Sequence, residues 1–100
     1  MNAFEFTADL WRHTGDAAWH FVTLPHDVAD DIDEITADTR RGFGSVRVEA
    51  TVGATTWRTS VFPDTTSESF LLPVKKAVRI AEDLDDGSAV VVRLVLVDIG

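Results

Sequence analysis

Three of the chain's few cationic residues lie close together in the sequence. Lys75, Lys76 and Arg79 fall within residues 75–79, although the whole chain has 9 lysines and arginines against 17 acidic residues. Ammonium and guanidinium groups bind phosphates and carboxylates through charge-assisted hydrogen bonds. Because residues four apart share one face of a helix, Lys75 and Arg79 are expected to lie on the same side. This spacing indicates an anion-binding site.

The start of a helix is the predicted position of this cationic cluster. Leu72-Pro73 precedes an apolar stripe of helical period, and Gly87 provides a stop; the stripe consists of Val74, Ala77, Val78, Ala81 and Leu84. Cations in the first turn oppose the helix dipole, and an anion held by the free N–H groups would stabilise them. In the predicted strand 56–62, Arg58 and Ser60 lie two residues apart and so share one face, from which they could reach the same place. The predicted ligand-binding residues are Arg58, Ser60, Lys75, Lys76 and Arg79.

An alternative explains the same lysines without any ligand. They would solvate the helix and pair with Glu82, Asp83 or the acidic residues that follow Pro25. A double variant, Lys75→Gln with Lys76→Gln, separates the two interpretations. Without ligand it should be unchanged or slightly more stable if the lysines oppose the dipole, and less stable if they form structural ion pairs.

Six segments have the pattern of β-strands, some by alternation of apolar and polar residues and others by apolar residues on both faces. They cover residues 4–10, 19–24, 46–52, 56–62, 70–72 and 89–99. With helices after Pro25 and Pro73, this pattern predicts a mainly β single domain over residues 1–100, a β-barrel with two capping α-helices. The last segment is apolar on both faces, which is typical of a strand at a barrel centre or a subunit contact.

A strand, a Leu-Pro corner, a helix and a Gly-Ser step occur twice in the same order. The first copy runs through Leu24-Pro25 to Gly44-Ser45, and the second through Leu72-Pro73 to Gly87-Ser88. We interpret this order as a duplicated ββαβ unit. The alternative is that Leu-Pro before a helix and Gly after one are common local signals.

The strand and helix periods also predict which residues form the core. The inward positions are Phe6, Leu10, Phe21, Val48, Val52, Val78, Leu84, Val92 and Leu94. In the first helix, Val28, Ile32 and Ile35 form the apolar stripe, with Asp30 and Asp33 on the exposed side. Since those acids lack calcium-loop spacing, they predict a solvated face.

Catalytic and metal-binding motifs do not occur in this sequence. It has no cysteine, and its three histidines (His13, His20 and His26) lie within the first 26 residues. Ser60 has no nucleophile-elbow sequence around it. The sequence therefore predicts no enzymatic activity, no metal and no cofactor. Trp11, Trp19 and Trp57 are expected in the core, unless at least one of them forms the floor of a ligand pocket.

The formal charge of −8 disfavours nucleic-acid binding, because that requires clustered lysines and arginines against the phosphates. The N-terminus lacks a basic region followed by an apolar run, and the apolar segment 89–97 contains Arg93. We therefore expect a cytoplasmic protein without a membrane partner.

Four ordered segments carry a resemblance to a known family. They are residues 19–25 (WHFVTLP), 42–46 (GFGSV), 57–63 (WRTSVFP) and 72–79 (LPVKKAVR). They resemble a small bacterial family, domain of unknown function 1905. The resemblance implies a double-split β-barrel capped by helices, similar to the AbrB and MazE transcription-factor fold. It implies no activity, because none is established for the family.

Two functions of different classes fit these observations. The first is a binding module for an anionic small molecule or an acidic partner segment at the second Leu-Pro corner. The second is a homodimer or larger assembly formed through the apolar last strand, with no ligand chemistry. DNA binding by analogy with AbrB is a third, and it rests on fold alone and is disfavoured by the net charge.

Overall fold

The computed structural model describes residues 3–15, 19–37 and 44–97, and within them the chain forms six strands and two helices. Their bounds, in chain order, are β1 Ala3–Arg12, β2 His20–Thr23, α1 His26–Thr36, β3 Val46–Val52, β4 Thr55–Asp64, β5 Ser69–Pro73, α2 Lys76–Ala81 and β6 Ala89–Leu96. The predicted strands and helices are therefore all present, with ends that differ by a few residues.

The six strands close into a barrel in the order β1-β2-β5-β4-β3-β6, and every neighbouring pair is antiparallel. β6 lies between two partners, with Phe6 of β1 opposite Val92 and Ala50 of β3 opposite Leu94. A strand paired on both sides has no exposed hydrogen-bonding edge among the described strands. The apolar last strand therefore belongs to the closed barrel, but only one of its faces is buried, since Val91 on the other face is 56% exposed.

The barrel interior is filled by alternate residues of the strands, as the period-2 pattern requires. Of the predicted core, seven residues are buried: Phe6, Leu10, Val48, Val52, Val78, Val92 and Leu94. Phe21 and Leu84 are half-buried; Leu84 packs against the core, so only the prediction for Phe21 is wrong. Phe21 precedes the inward residue Val22 and so lies on the outer face of β2, and Leu84 follows the end of α2.

α1 begins directly after Pro25, as predicted, and packs one side on the barrel. Its buried residues are Val28, Ala29, Ile32 and Thr36, whereas Ile35 is 41% exposed. At 100° per residue the buried arc is centred between Ile32 and Thr36, which places Ile35 at its border. The prediction for Ile35 is wrong, and that for the exposed Asp30 and Asp33 is confirmed.

α2 is shorter than the sequence predicts and begins later. Pro73 does not open it but ends β5 opposite Phe21, and the N–H of Val74 donates to the carbonyl oxygen of His20 at 2.9 Å. The helix then spans six residues and ends where Asp83 takes a left-handed φ of 53°. No helix in the described ranges is long and apolar enough to cross a membrane.

Candidate functional site

A surface cleft of about 420 Å³ lies where the start of α2 meets β4 and the end of β5. Four cationic residues line it, one from β4 and three from the segment that leads into and along α2: Arg58, Lys75, Lys76 and Arg79. The rest of its lining is aromatic, aliphatic or neutral: Trp19, His20, Trp57, Thr59, Phe62, Pro73 and Val74. No acidic residue is among these described lining residues. The cleft is therefore concave and cationic.

Four of the five predicted ligand-binding residues meet in this cleft, and Ser60 does not. Ser60 follows Arg58 by two residues on β4 and is half-buried on the same face, opposite Arg47 of β3. Two residues of strand span about 7 Å, which displaces the hydroxyl along the barrel wall. Sharing a strand face was too weak a criterion to place Ser60 in the site.

The two arginines are positioned by different contacts. Arg79 donates from Nε to the carbonyl oxygen of Val74 at 3.2 Å, which holds its guanidinium beside the corner. Arg58 lies opposite Glu49 on β3, with Nε 3.7 Å from Oε2, and both side chains are substantially exposed. An exposed pair at that distance contributes little stability, so the Glu49 carboxylate neutralises Arg58 weakly.

The two lysines make no ion pair or side-chain hydrogen bond with another described residue. Glu82, one of the acids that the alternative interpretation pairs with them, instead accepts a hydrogen bond from the Thr55 hydroxyl at 2.6 Å. Lys75 and Lys76 are both exposed. Their charges therefore add to those of the arginines in the cleft.

The dipole of α2 adds little to the positive charge of the cleft. Lys75 is the N-cap of α2 and Lys76 its first residue, but a helix of six residues has few aligned peptide dipoles. The helix is therefore shorter than predicted and its dipole adds little, while an anion bound at this corner stays a prediction. The positive charge of the cleft comes from side chains.

Aromatic residues form one wall of the cleft. Trp57 is buried, whereas Trp19 and Phe62 are 54% and 44% exposed, high values for side chains of this size. The expectation that the tryptophans lie in the core is confirmed for Trp57 and wrong for Trp19, and a ligand pocket with a tryptophan floor stays a prediction. Phe62 was missed, although its position next to the inward Val61 on β4 places it on the outer face.

His20 is a second residue that the sequence did not assign to the site. Its Nε2 lies 2.7 Å from Oδ1 of Asp86, and its side chain is 10% exposed. The two residues are 66 positions apart, so no local pattern links them. The contact ties β2 to the turn before β6 and helps to fix the wall of the cleft.

Residues 6–94 match the model of a family described as domain of unknown function (DUF1905). The chain belongs to this family. No curated protein matches the chain. In this DUF1905 domain, every described residue that lines the cleft comes from three of the four segments that carry the resemblance, residues 19–25, 57–63 and 72–79.

Proposed function

We propose that this DUF1905 domain is a non-enzymatic binding module that holds an anionic small molecule, or the acidic group of a partner segment, in the cationic cleft. The observation that carries the proposal is the meeting of Arg58, Lys75, Lys76 and Arg79 around one concavity without a described acid in its lining. Its volume of about 420 Å³ lies within the range of small-molecule sites, roughly 300–1,000 Å³.

The charge distribution of the whole chain supports the same proposal. The protein carries a formal charge of −8, yet four of its 9 lysines and arginines line this cleft. Like charges gathered in one concavity repel each other, and a bound anion would relieve that repulsion. Arginine and lysine together suit a carboxylate or phosphate, because arginine supplies fixed paired donors and lysine a mobile point charge.

A thermal-shift screen of phosphates, nucleotides, carboxylates and sulfated compounds tests the proposal. A ligand that binds the native state at a hundredfold excess over Kd stabilises it by about 2.7 kcal/mol. For a domain of this size, each kcal/mol raises Tm by roughly 4–8 °C. We expect at least one anion to raise Tm by several degrees and this response to fall as salt is added.

The control for this screen separates cleft charge from net charge. Lys75→Gln with Lys76→Gln should abolish most of the Tm response, whereas Arg93→Gln, at an exposed position of β6 outside the cleft, should retain it. Without ligand, the double variant should unfold within about 0.5 kcal/mol of the parent, as exposed substitutions do. An equal loss in Arg93→Gln, or a clear destabilisation of the double variant without ligand, contradicts the proposal.

Self-association is the competing function, and two exposed apolar residues favour it. Val91 on β6 is 56% exposed and Ile80 on α2 is 68% exposed. A homodimer covering either would give a sedimentation coefficient that rises with protein concentration. The same side chains are also common as single exposed residues on monomers, so the cleft carries the stronger argument.

We further infer that the barrel consists of two related ββαβ halves, β1-β2-α1-β3 and β4-β5-α2-β6. Exchanging β1 with β4, β2 with β5 and β3 with β6 reproduces the observed set of strand pairings: β1-β2 interchanges with β4-β5 and β1-β6 with β3-β4, while β2-β5 and β3-β6 map onto themselves. A pseudo-twofold axis between the halves would produce that set. The double-split barrel of the AbrB type stays an expectation from resemblance, and the charge of −8 disfavours AbrB-like DNA binding.

A further inference from the structure

An apolar groove adjoins the cationic cleft and shares part of its wall. It has a volume of about 580 Å³ and is lined by Trp11, His13, Trp19, Phe21, Phe62, Asp64, Thr66 and Leu71. Trp19 and Phe62 line both cavities, so the two adjoin at these side chains; together they are called the depression, with a cationic end and an aromatic end. We propose that the ligand of this domain is an aromatic anion, whose charged group lies among the cations while its flat apolar body lies against Trp19 and Phe62.

The aromatic end is a packed array of fixed rings. The rings of Trp19 and Phe21 stack with centroids 6.0 Å apart and an interplanar angle of 8°, and Trp11 lies 5.2 Å from Phe21 at 40°. Trp11 is held further by its Nε1, which donates to the Thr23 hydroxyl at 2.9 Å. Rings fixed before binding lose little conformational freedom on binding, which favours a rigid planar partner.

The position of Trp19 directs where the ligand's ring would lie. Phe21 covers one face of the indole and lines the groove but not the cleft. A ligand ring would therefore stack on the other face of Trp19, which lines the same cleft as Lys75 and Lys76. An aromatic ring stacked there would carry its acidic substituent towards those ammonium groups, which combines stacking with charge pairing.

A carboxylate in the groove determines which end of the ligand can be negatively charged. Asp64 lines the groove, and the hydroxyl and N–H of Ser67 donate to its Oδ2 at 2.7 and 3.0 Å. These bonds favour the charged carboxylate, and the Ser67 hydroxyl is the main reason that the pKa of Asp64 lies below its ordinary value. A second anionic group at the distal end of the ligand would meet this carboxylate. A ring with one acidic end therefore fits better than one with two.

NMR titrations of the full chain with four probes test this inference, which rests on the proposed function. The probes are 2-naphthoate, acetate, 2-naphthol and 2,6-naphthalenedicarboxylate. We expect 2-naphthoate to bind at least tenfold more tightly than acetate, a difference of about 1.4 kcal/mol. Its affinity should also exceed that of neutral 2-naphthol and that of the dicarboxylate. The indole N–H signals of Trp11, Trp19 and Trp57 report which part of the depression is occupied.

Variants separate the contribution of the aromatic side chains to binding from the contribution of the lysines. Trp19→Ala should bring the ratio of 2-naphthoate to acetate affinity towards one, and Phe62→Ala should act in the same direction if Trp19→Ala does not fold. Lys75→Gln with Lys76→Gln should weaken both carboxylates. Ile80→Ala removes an exposed apolar side chain outside both cavities and should change neither.

The possible failures are distinguishable. If the lysine variant weakens acetate and 2-naphthoate equally and the two bind with the same affinity, the aromatic inference is wrong and the anion site stands. If 2-naphthol binds as tightly as 2-naphthoate and the lysine variant changes nothing, the anion site itself is wrong. Octanoate, titrated in addition to these four probes, would also overturn the inference if it bound more tightly than 2-naphthoate, because that would point to an alkyl chain in the groove.

Discussion

Two adjacent valines on β6 provide a matched test of which barrel face is inside. Val92 is fully buried opposite Phe6, whereas Val91 is 56% exposed opposite Thr7. Val→Ala at each position removes the same two carbon atoms from the same strand. The two variants therefore differ in the surroundings that they lose, and only slightly in strand propensity.

The expected cost follows from those surroundings. Two methylene equivalents at about 0.8 kcal/mol each give a transfer loss of roughly 1.6 kcal/mol for Val92→Ala. The cavity left in a closed barrel raises this to about 2–3 kcal/mol, because packed strands relax only in part. Val91→Ala should cost below about 1 kcal/mol. With roughly 4–8 °C of Tm for each kcal/mol, the two variants should be clearly separated by calorimetry.

Urea unfolding of both variants at two protein concentrations completes the assay. Equal costs at both positions would refute the assignment of the inner and outer faces of β6. A cost for Val91→Ala that grows with protein concentration would instead show a second copy of the chain covering this face, and would favour the assembly function over a monomeric binding module.

Two further predictions concern a turn and an acidic side chain. Gly53 and Gly87 both have positive φ, but a β-carbon at position 53 would displace the Glu82 carboxylate from its hydrogen bond with the Thr55 hydroxyl, whereas one at position 87 meets no atom within 4 Å. Gly53→Ala should therefore cost more than Gly87→Ala, and equal thermal shifts would contradict this. Ser67→Ala should destabilise the protein near neutral pH, where Asp64 is ionised, and the deficit should shrink as pH falls from about 4 through the lowered pKa of Asp64. A deficit that is constant down to pH 2 in acid unfolding would contradict it.

The strands of the barrel were predictable because period 2 is a local property. In β3, Val46, Val48, Ala50 and Val52 are buried and the residues between them are not, as the alternation in the sequence indicates. Phe21 shows the limit of this argument. Both faces of β2 carry apolar residues, so the sequence could not decide which face lies inside, and pairing with β1 and β5 decided it.

The helices were predictable in existence and less so in extent. Pro25 starts α1 as expected, but Pro73 stays in β5, because the ladder with β2 continues through it to Val74. A proline before a helical pattern is compatible with either role. The choice depends on a neighbouring strand about 50 residues away in sequence, which no local signal describes.

The cationic residues of the candidate site could be identified from sequence because lysines and arginines are few in this chain and three of the four lie within residues 75–79. Arg58 was placed correctly by the expected meeting of β4 with the second corner, and Ser60 was not, since a shared strand face does not fix distance along the strand. Composition and spacing therefore determined the strands, the apolar core pattern and the cationic cluster. The tertiary structure alone decided that Trp19, Phe62 and His20 join that cluster, because barrel closure brings together segments whose side chains have no sequence relation to each other.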